Sequence, residues 1–311
     1  MYRKIEEELK KWKNDYKMPL MLVGARQTGK TYILEEFCKN NFNNYVYINL
    51  DKEENIAEIF ESTIDPDTII EKIEIIKNVV INPDDTILFL DEIQVSERAI
   101  TSLKYFCESN KPYKIVCAGS LLGVKINRFK SSFPVGKVTI KYLYPMDFEE
   151  YLWAEGYDTD KIEDLYISLT QMQQLKSDKS SRFSYLFRKY TCIGGLPKAV
   201  EESLKSDVLN KVFDVQADVF NYICERLESY IDELGIPKYK YLYANVAAQL
   251  MRDNHKFTIS KLYPKARFKD YNDVIAKLIN SGMINRCYRL NEITLPFEGK
   301  EKSDNFHLYY A

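Results

Sequence analysis

The stretch from Pro19 to Thr31, Pro-Leu-Met-Leu-Val-Gly-Ala-Arg-Gln-Thr-Gly-Lys-Thr, constrains the fold of this chain more than any other. Leu20 to Val23 has the apolar run of a buried strand, and Gly24 ends it with backbone freedom that a Cβ would forbid. Gly24, Gly29, Lys30 and Thr31 match the spacing G-x-x-x-x-G-K-[ST], the Walker A pattern, in which successive backbone N–H groups curl around nucleotide phosphates. The loop Gly24, Ala25, Arg26, Gln27, Thr28, Gly29, Lys30 and Thr31 is therefore the expected nucleotide-binding segment. Lys30 carries a flexible ammonium for the β- and γ-oxygens of ATP, and the Thr31 hydroxyl can replace one water on Mg²⁺. From Thr31 to Lys39, Ile33, Leu34 and Phe37 keep helical spacing, so a helix dipole points at the phosphates. The blander reading, a glycine turn without a ligand, explains neither the strand before it nor the amphipathic helix after it.

A second motif completes the chemistry. Thr86 to Leu90 is a continuous apolar strand of the kind covered on both faces in a parallel sheet, and Asp91 and Glu92 follow at its C-terminal end. Ligands bind at that end of open α/β sheets. Asp91 is the expected second metal group beside Thr31, and Glu92 the expected base that polarises a water in line with the γ-phosphate. Ser120 follows the next strand, Ile115 to Ala118, and is either a sensor of the γ-phosphate or a turn serine. Transition-state charge also needs a cation, and Arg128, Lys137 and Arg267 are the candidates, within the chain or across a homo-oligomer interface.

Strands are expected at Tyr45 to Leu50, Tyr113 to Ala118 and Lys137 to Leu143, alternating with helices at Tyr2 to Tyr16, Ile56 to Ile76 with a break at Asp65-Pro66, and Glu97 to Glu108. This is an α/β, P-loop parallel sheet with helices on both faces. After Pro145 only helices are expected: Met146 to Ala154, Phe183 to Cys192, Pro197 to Leu204 and Val208 to Leu234, with Leu175 to Arg182 as a mobile loop. Leu242 to Met251, Ile259 to Tyr263, Tyr271 to Ser281 and an apparent wing strand, Ile284 to Leu290, follow in the order of a winged helix-turn-helix. The expected division is 1–152 ATPase core, 153–235 a helical segment and 236–300 a winged helix.

Net charge is −2, with no overall nucleic-acid signature. Residues 236–290, however, hold eleven Lys or Arg against three Asp and no Glu, a local +8 that hints at an anionic partner. The rival reading is accordingly a nucleotide-gated DNA-binding regulator. A small-molecule kinase shares the loop but needs no Glu92 and leaves the second half unexplained. The six scattered cysteines lack metal-ligand spacing and read as reduced, mostly buried thiols of a cytoplasmic protein. Two histidines leave no basis for a His-based triad or zinc site, and no apolar run reaches membrane-spanning length.

Gly24-Ala-Arg-Gln-Thr-Gly-Lys-Thr31, Leu90-Asp-Glu-Ile-Gln94, Ala118-Gly-Ser-Leu-Leu-Gly123, Phe133-Pro-Val-Gly-Lys137, Tyr144-Pro-Met-Asp-Phe-Glu-Glu-Tyr-Leu152 and Gly194-Gly-Leu-Pro-Lys198 occur in that order. In this set the chain closely resembles prokaryotic ATP-binding proteins of the AAA superfamily that carry an AAA domain followed by a DUF4143 domain. The resemblance implies an AAA-type ATPase core, a helical lid, a winged helix and a nuclease-like C-terminal domain. Family members continue well past the segment matching Phe306 to Ala311, so it also implies that most of that last domain is absent. Many relatives carry Arg where Lys137 stands.

Overall fold

The computed structural model describes residues 1–120, 133–171, 177–205, 209–228, 236–262, 266–280 and 282–310. The chain forms two compact units, Met1–Ala217 and Asp218–Ala311.

In the first unit, strands β1 (Leu20–Gly24), β2 (Asn44–Asn49), β3 (Thr86–Asp91), β4 (Lys114–Ser120) and β5 (Thr139–Leu143) form one sheet in the order β2-β3-β4-β1-β5. Every pairing is parallel. Alternation along the strands divides the core. Leu20, Leu22, Ile87 and Phe89 pack with α1 (Ile5–Asn14) and α2 (Lys30–Asn41). Met21, Val23, Leu88 and Leu90 pack on the other face with α3 (Glu54–Ser62), α4 (Pro66–Lys77) and α5 (Glu97–Glu108). All six β3 residues are buried, the reason that strand reads as uninterrupted apolar sequence.

Local signals set the helix ends. Asp65 accepts from the Thr68 amide at 2.9 Å and Pro66 takes the first helical position of α4, the expected break at Asp65-Pro66. Asp147 and Glu150 form a reciprocal capping box on α6 (Phe148–Ala154). Helices α7 (Thr159–Thr170), α8 (Ser177–Ile193) and α9 (Pro197–Lys205) follow. Helix α7 was not expected from the sequence. Residues Ser177 to Arg182, expected as mobile loop, are the first turns of α8; a polar run at the end of a helix has the composition of a loop. The turn into α9 shows why it is Gly-Gly-Leu-Pro. Gly194 has φ +72°, the left-handed value that ends a helix, and Pro197 opens the next one.

Gly195 serves a close approach instead: its carbonyl accepts from the Met146 amide at 2.6 Å, and a Cβ there would lie 2.1 Å from the Met146 carbonyl oxygen. Gly195→Ala is expected to cost about 3 kcal/mol, the scale of backbone overpacking, and to lower the melting temperature by roughly 10 °C. A melting curve matching the wild type would refute that contact.

Helix α10 (Leu209–Glu228) spans the boundary between the units. The second unit continues with α11 (Ile236–Leu250), a 3-10 turn at Ile259–Lys261, α12 (Phe268–Asn280) and the strands β6 (Ile284–Leu290) and β7 (Glu301–Tyr310). The order agrees with the sequence reading except at its end. Residues 301–310 pair antiparallel with β6, from Ile284↔Tyr310 to Leu290↔Glu301. Phe306 and Leu308 are buried there, so β7 completes the core of this unit. Tyr263 and Arg128 lie outside the described residues. Of the described cysteines only Cys38 and Cys117 are buried, fewer than expected. Among the described residues no helix is long and apolar enough to cross a membrane.

Candidate nucleotide site

Parallel pairing brings the strand ends to one edge of the sheet. Gly24 lies level with Ser120 on one side and with Leu143 on the other, and Asp91 lies level with Asn49. At that edge the backbone bends through left-handed conformations at Gln27 (φ 61°) and Gly29 (φ 92°) before α2 begins at Lys30. Left-handed residues interleaved with right-handed ones are what make a concave nest of amides. A Cβ at Gln27 in that conformation costs on the order of 1 kcal/mol, a strain the loop tolerates. The Thr28 hydroxyl braces the bend by donating to the Ala25 carbonyl at 2.9 Å.

Lys30 is only 7% exposed, and its ammonium donates to the Gly24 and Ala25 carbonyls at 3.0 and 2.5 Å. Burial lowers its pKa from 10.5 to about 8; Glu92 and Asp91 oppose that shift and Arg26 adds to it. A buried cation whose hydrogen bonds end on neutral carbonyls is electrostatically suited to take a polyphosphate. Arg26 is buried close enough to act on Lys30 through its charge.

Thr31 donates from its hydroxyl to Asp91 Oδ2 at 3.0 Å, joining the loop to the end of β3. Asp91, 4% exposed, also accepts from the Tyr47 hydroxyl at 3.0 Å and from the Glu92 amide, through Oδ1, at 3.0 Å. Burial raises its carboxyl pKa, while the Tyr47, Thr31 and Glu92 hydrogen bonds pull it back. Glu92 holds a left-handed φ of 51°, and its carboxylate accepts from the Gln94 side-chain amide. Among the described residues no group of three or more His, Cys, Asp or Glu could hold a metal. One hydroxyl and one carboxylate fit Mg²⁺, which binds through few protein oxygens and completes its shell with phosphates and water.

The sequence candidates divide as follows. The loop, Asp91 and Glu92 meet at one site. Ser120 reaches the same edge through its backbone, and its side chain lies outside the described residues. Lys137 precedes β5 and so sits at the opposite edge, about 20 Å down the strand from the phosphate loop, where its amine pairs with Glu108 at 3.0 Å. That position corrects its candidacy as a cation for its own chain's site. Arg267 is exposed in the second unit.

Three contributors were not found from sequence. Arg3, 3% exposed, donates to the Thr28 carbonyl of the loop at 3.1 Å and to the Tyr144 carbonyl at 2.7 Å, and pairs with Glu150 at 3.0 Å. An arginine beside a helix start looks like a surface charge; nothing local marks it as a clamp. Tyr47 and Gln94 are the others, and for Tyr47 a signal existed, strand parity with Phe89 and Asp91.

Residues 16–152 match a family described as an AAA domain, and residues 184–311 match a domain of unknown function, DUF8612, in place of the DUF4143 domain expected. No curated protein matches significantly. Among solved structures the chain resembles the Walker-type ATPase PABY2304 of Pyrococcus abyssi, at 14% identity and TM-score 0.54, over 98% of this chain and 92% of that one. It also resembles the ORC2 protein of Aeropyrum pernix, solved as ADPNP and ADP complexes, at 14% identity and TM-score 0.51, over 92% and 88% of the two chains. At such identities these likenesses speak for the fold alone.

Proposed function

We propose that this chain, whose residues 16–152 form an AAA-type P-loop domain, is a Mg²⁺-dependent ATPase. The observation that carries the reading is the 3.0 Å bond from Thr31 to Asp91, which unites the two motifs of the sequence in one site. The loop amides and Lys30 bind the triphosphate, with Lys30 leaving the Gly24 and Ala25 carbonyls for the more strongly accepting phosphate oxygens. The Thr31 hydroxyl and the Asp91 carboxylate would hold Mg²⁺, which would supply positive charge against that of the transferring phosphate. Glu92 takes the proton of the attacking water, and the Gln94 side-chain amide donates to its carboxylate. Ser120 remains the proposed γ-phosphate sensor. Helices α6 to α9 are proposed as the lid, since the Pro197 ring lies 3.7 Å from where a Gly29 Cβ would be. The elements from α11 to β7 are proposed as a winged helix.

The direct test is phosphate release from ATP by the purified chain, with and without EDTA. Release that EDTA abolishes supports the reading, and an absence of release together with an absence of ATP binding overturns it. The DNA-binding alternative gains no such carrying observation. On α12 Lys277 pairs with Asp273 at 2.8 Å, and the Arg286 guanidinium lies over the Tyr288 ring at 4.5 Å.

A pH signature follows from Lys30. Free, it loses its proton near pH 8; against a polyphosphate it keeps it. ATP binding above pH 8 is therefore expected to take up a proton and to weaken as pH rises. The depressed folded value also means that folding releases a proton between about 8 and 10.5, so the ligand-free protein gains stability across that window. Calorimetry in buffers of differing ionisation enthalpy measures the uptake; binding at pH 9 without proton exchange would contradict it.

A further inference from the structure

The carboxylate that joins the two motifs has a third partner, contributed by neither. Tyr47 and Asn49 on β2 lie level with Phe89 and Asp91 on β3, and period-two alternation puts all four on one face of the sheet. That face carries α2, so Asp91 meets Thr31 there, and Tyr47 packs against the same core. The Tyr47 ring stands edge-on to Phe89 with centroids 5.2 Å apart, and the Asn49 side-chain amide approaches its hydroxyl at 3.4 Å. Ring and hydroxyl are thus both held. The hydroxyl delivers its hydrogen bond to Asp91 Oδ2, the oxygen that also accepts from Thr31, while the Glu92 amide occupies Oδ1.

A carboxylate turns about its Cβ–Cγ bond unless donors on both oxygens stop it. Thr31 donates to the same oxygen as Tyr47, but its hydroxyl is also the group proposed to meet the metal. Tyr47 is placed by the sheet, against Phe89 and beside Asn49.

Building on the proposed ATPase reading, we infer that Tyr47 is a positioning residue, whose hydroxyl locks the Asp91 carboxylate in the rotation that receives the divalent cation accompanying the nucleotide. Groups that orient a metal-holding carboxylate typically change metal affinity by 10–100-fold when removed. Tyr47→Phe deletes the donor and keeps the ring against Phe89. The experiment measures the affinity of wild-type and Tyr47→Phe protein for a fluorescent ATP analogue, first in EDTA and then across a Mg²⁺ titration, with a melting curve for each protein.

The expected result is equal affinity in EDTA, melting within a few degrees of the wild type, and about tenfold more Mg²⁺ needed at the midpoint. A wild-type Mg²⁺ midpoint in Tyr47→Phe would overturn the positioning role while leaving the ATPase reading intact. Equal loss in EDTA and in Mg²⁺ would also overturn it, since that pattern denotes general damage to the loop. Wild-type protein that binds no nucleotide in either condition would overturn the ATPase reading itself, and this inference with it. Should Tyr47→Phe melt early, Asn49→Ala provides the second variant: loosening the tyrosine hydroxyl should raise the Mg²⁺ midpoint in the same direction, and an unmoved midpoint would count against the role.

Discussion

Lys30→Ala is expected to weaken ATP binding roughly 100-fold while the protein stays folded. A charge-assisted hydrogen bond is worth about 1.5–3 kcal/mol, and 2.8 kcal/mol corresponds to about 100-fold in affinity. The fold should tolerate the change for a reason visible at the loop itself. Burying the ammonium is costly enough to lower its pKa to about 8, so removing it relieves a desolvation cost. Against this stands the loss of a donor to the Gly24 and Ala25 carbonyls. The two effects oppose each other, and a melting temperature within a few degrees of wild type is expected. Titration calorimetry decides the matter, and an unchanged dissociation constant would remove the loop from the nucleotide site.

Glu92→Gln is expected to have the largest effect on turnover, a fall of roughly 100- to 10,000-fold, the range for loss of a general base. The substitution keeps shape and volume, and glutamine still offers an oxygen to the Gln94 amide. It removes only the capacity to take a proton. Binding of ATP should therefore persist, giving a protein that holds ATP without cleaving it. Single-turnover measurement separates the two steps: cleavage at the wild-type rate would show that another group activates the water.

Both predictions rest on residues that the sequence marked, and they were legible for a local reason. The phosphate loop needs glycine for its left-handed turn, lysine for its charge and threonine for its hydroxyl within one short span. The apolar run before Asp91 announces a strand buried on both faces. The start of α4 at Pro66 was equally readable, because a cap and a proline act on their own neighbours.

What the sequence left open lies between distant segments. That Lys137 sits at the far edge of the sheet follows from β5 running parallel beside β1, a pairing across more than 100 residues with no local mark. That β7 pairs with β6 was equally unreadable, because an edge strand has no periodicity of its own strong enough to name its neighbour. Arg3 became a clamp on the Thr28 carbonyl only through packing of α1 on α2, and Tyr47 reached Asp91 only through the β2–β3 register. Composition and spacing marked the two motifs, because the residues of each lie within a few positions of one another. Strand order and register decided which further side chains hold those motifs in place, because burial and hydrogen bonding across the sheet depend on neighbours that the chain meets only after it has folded.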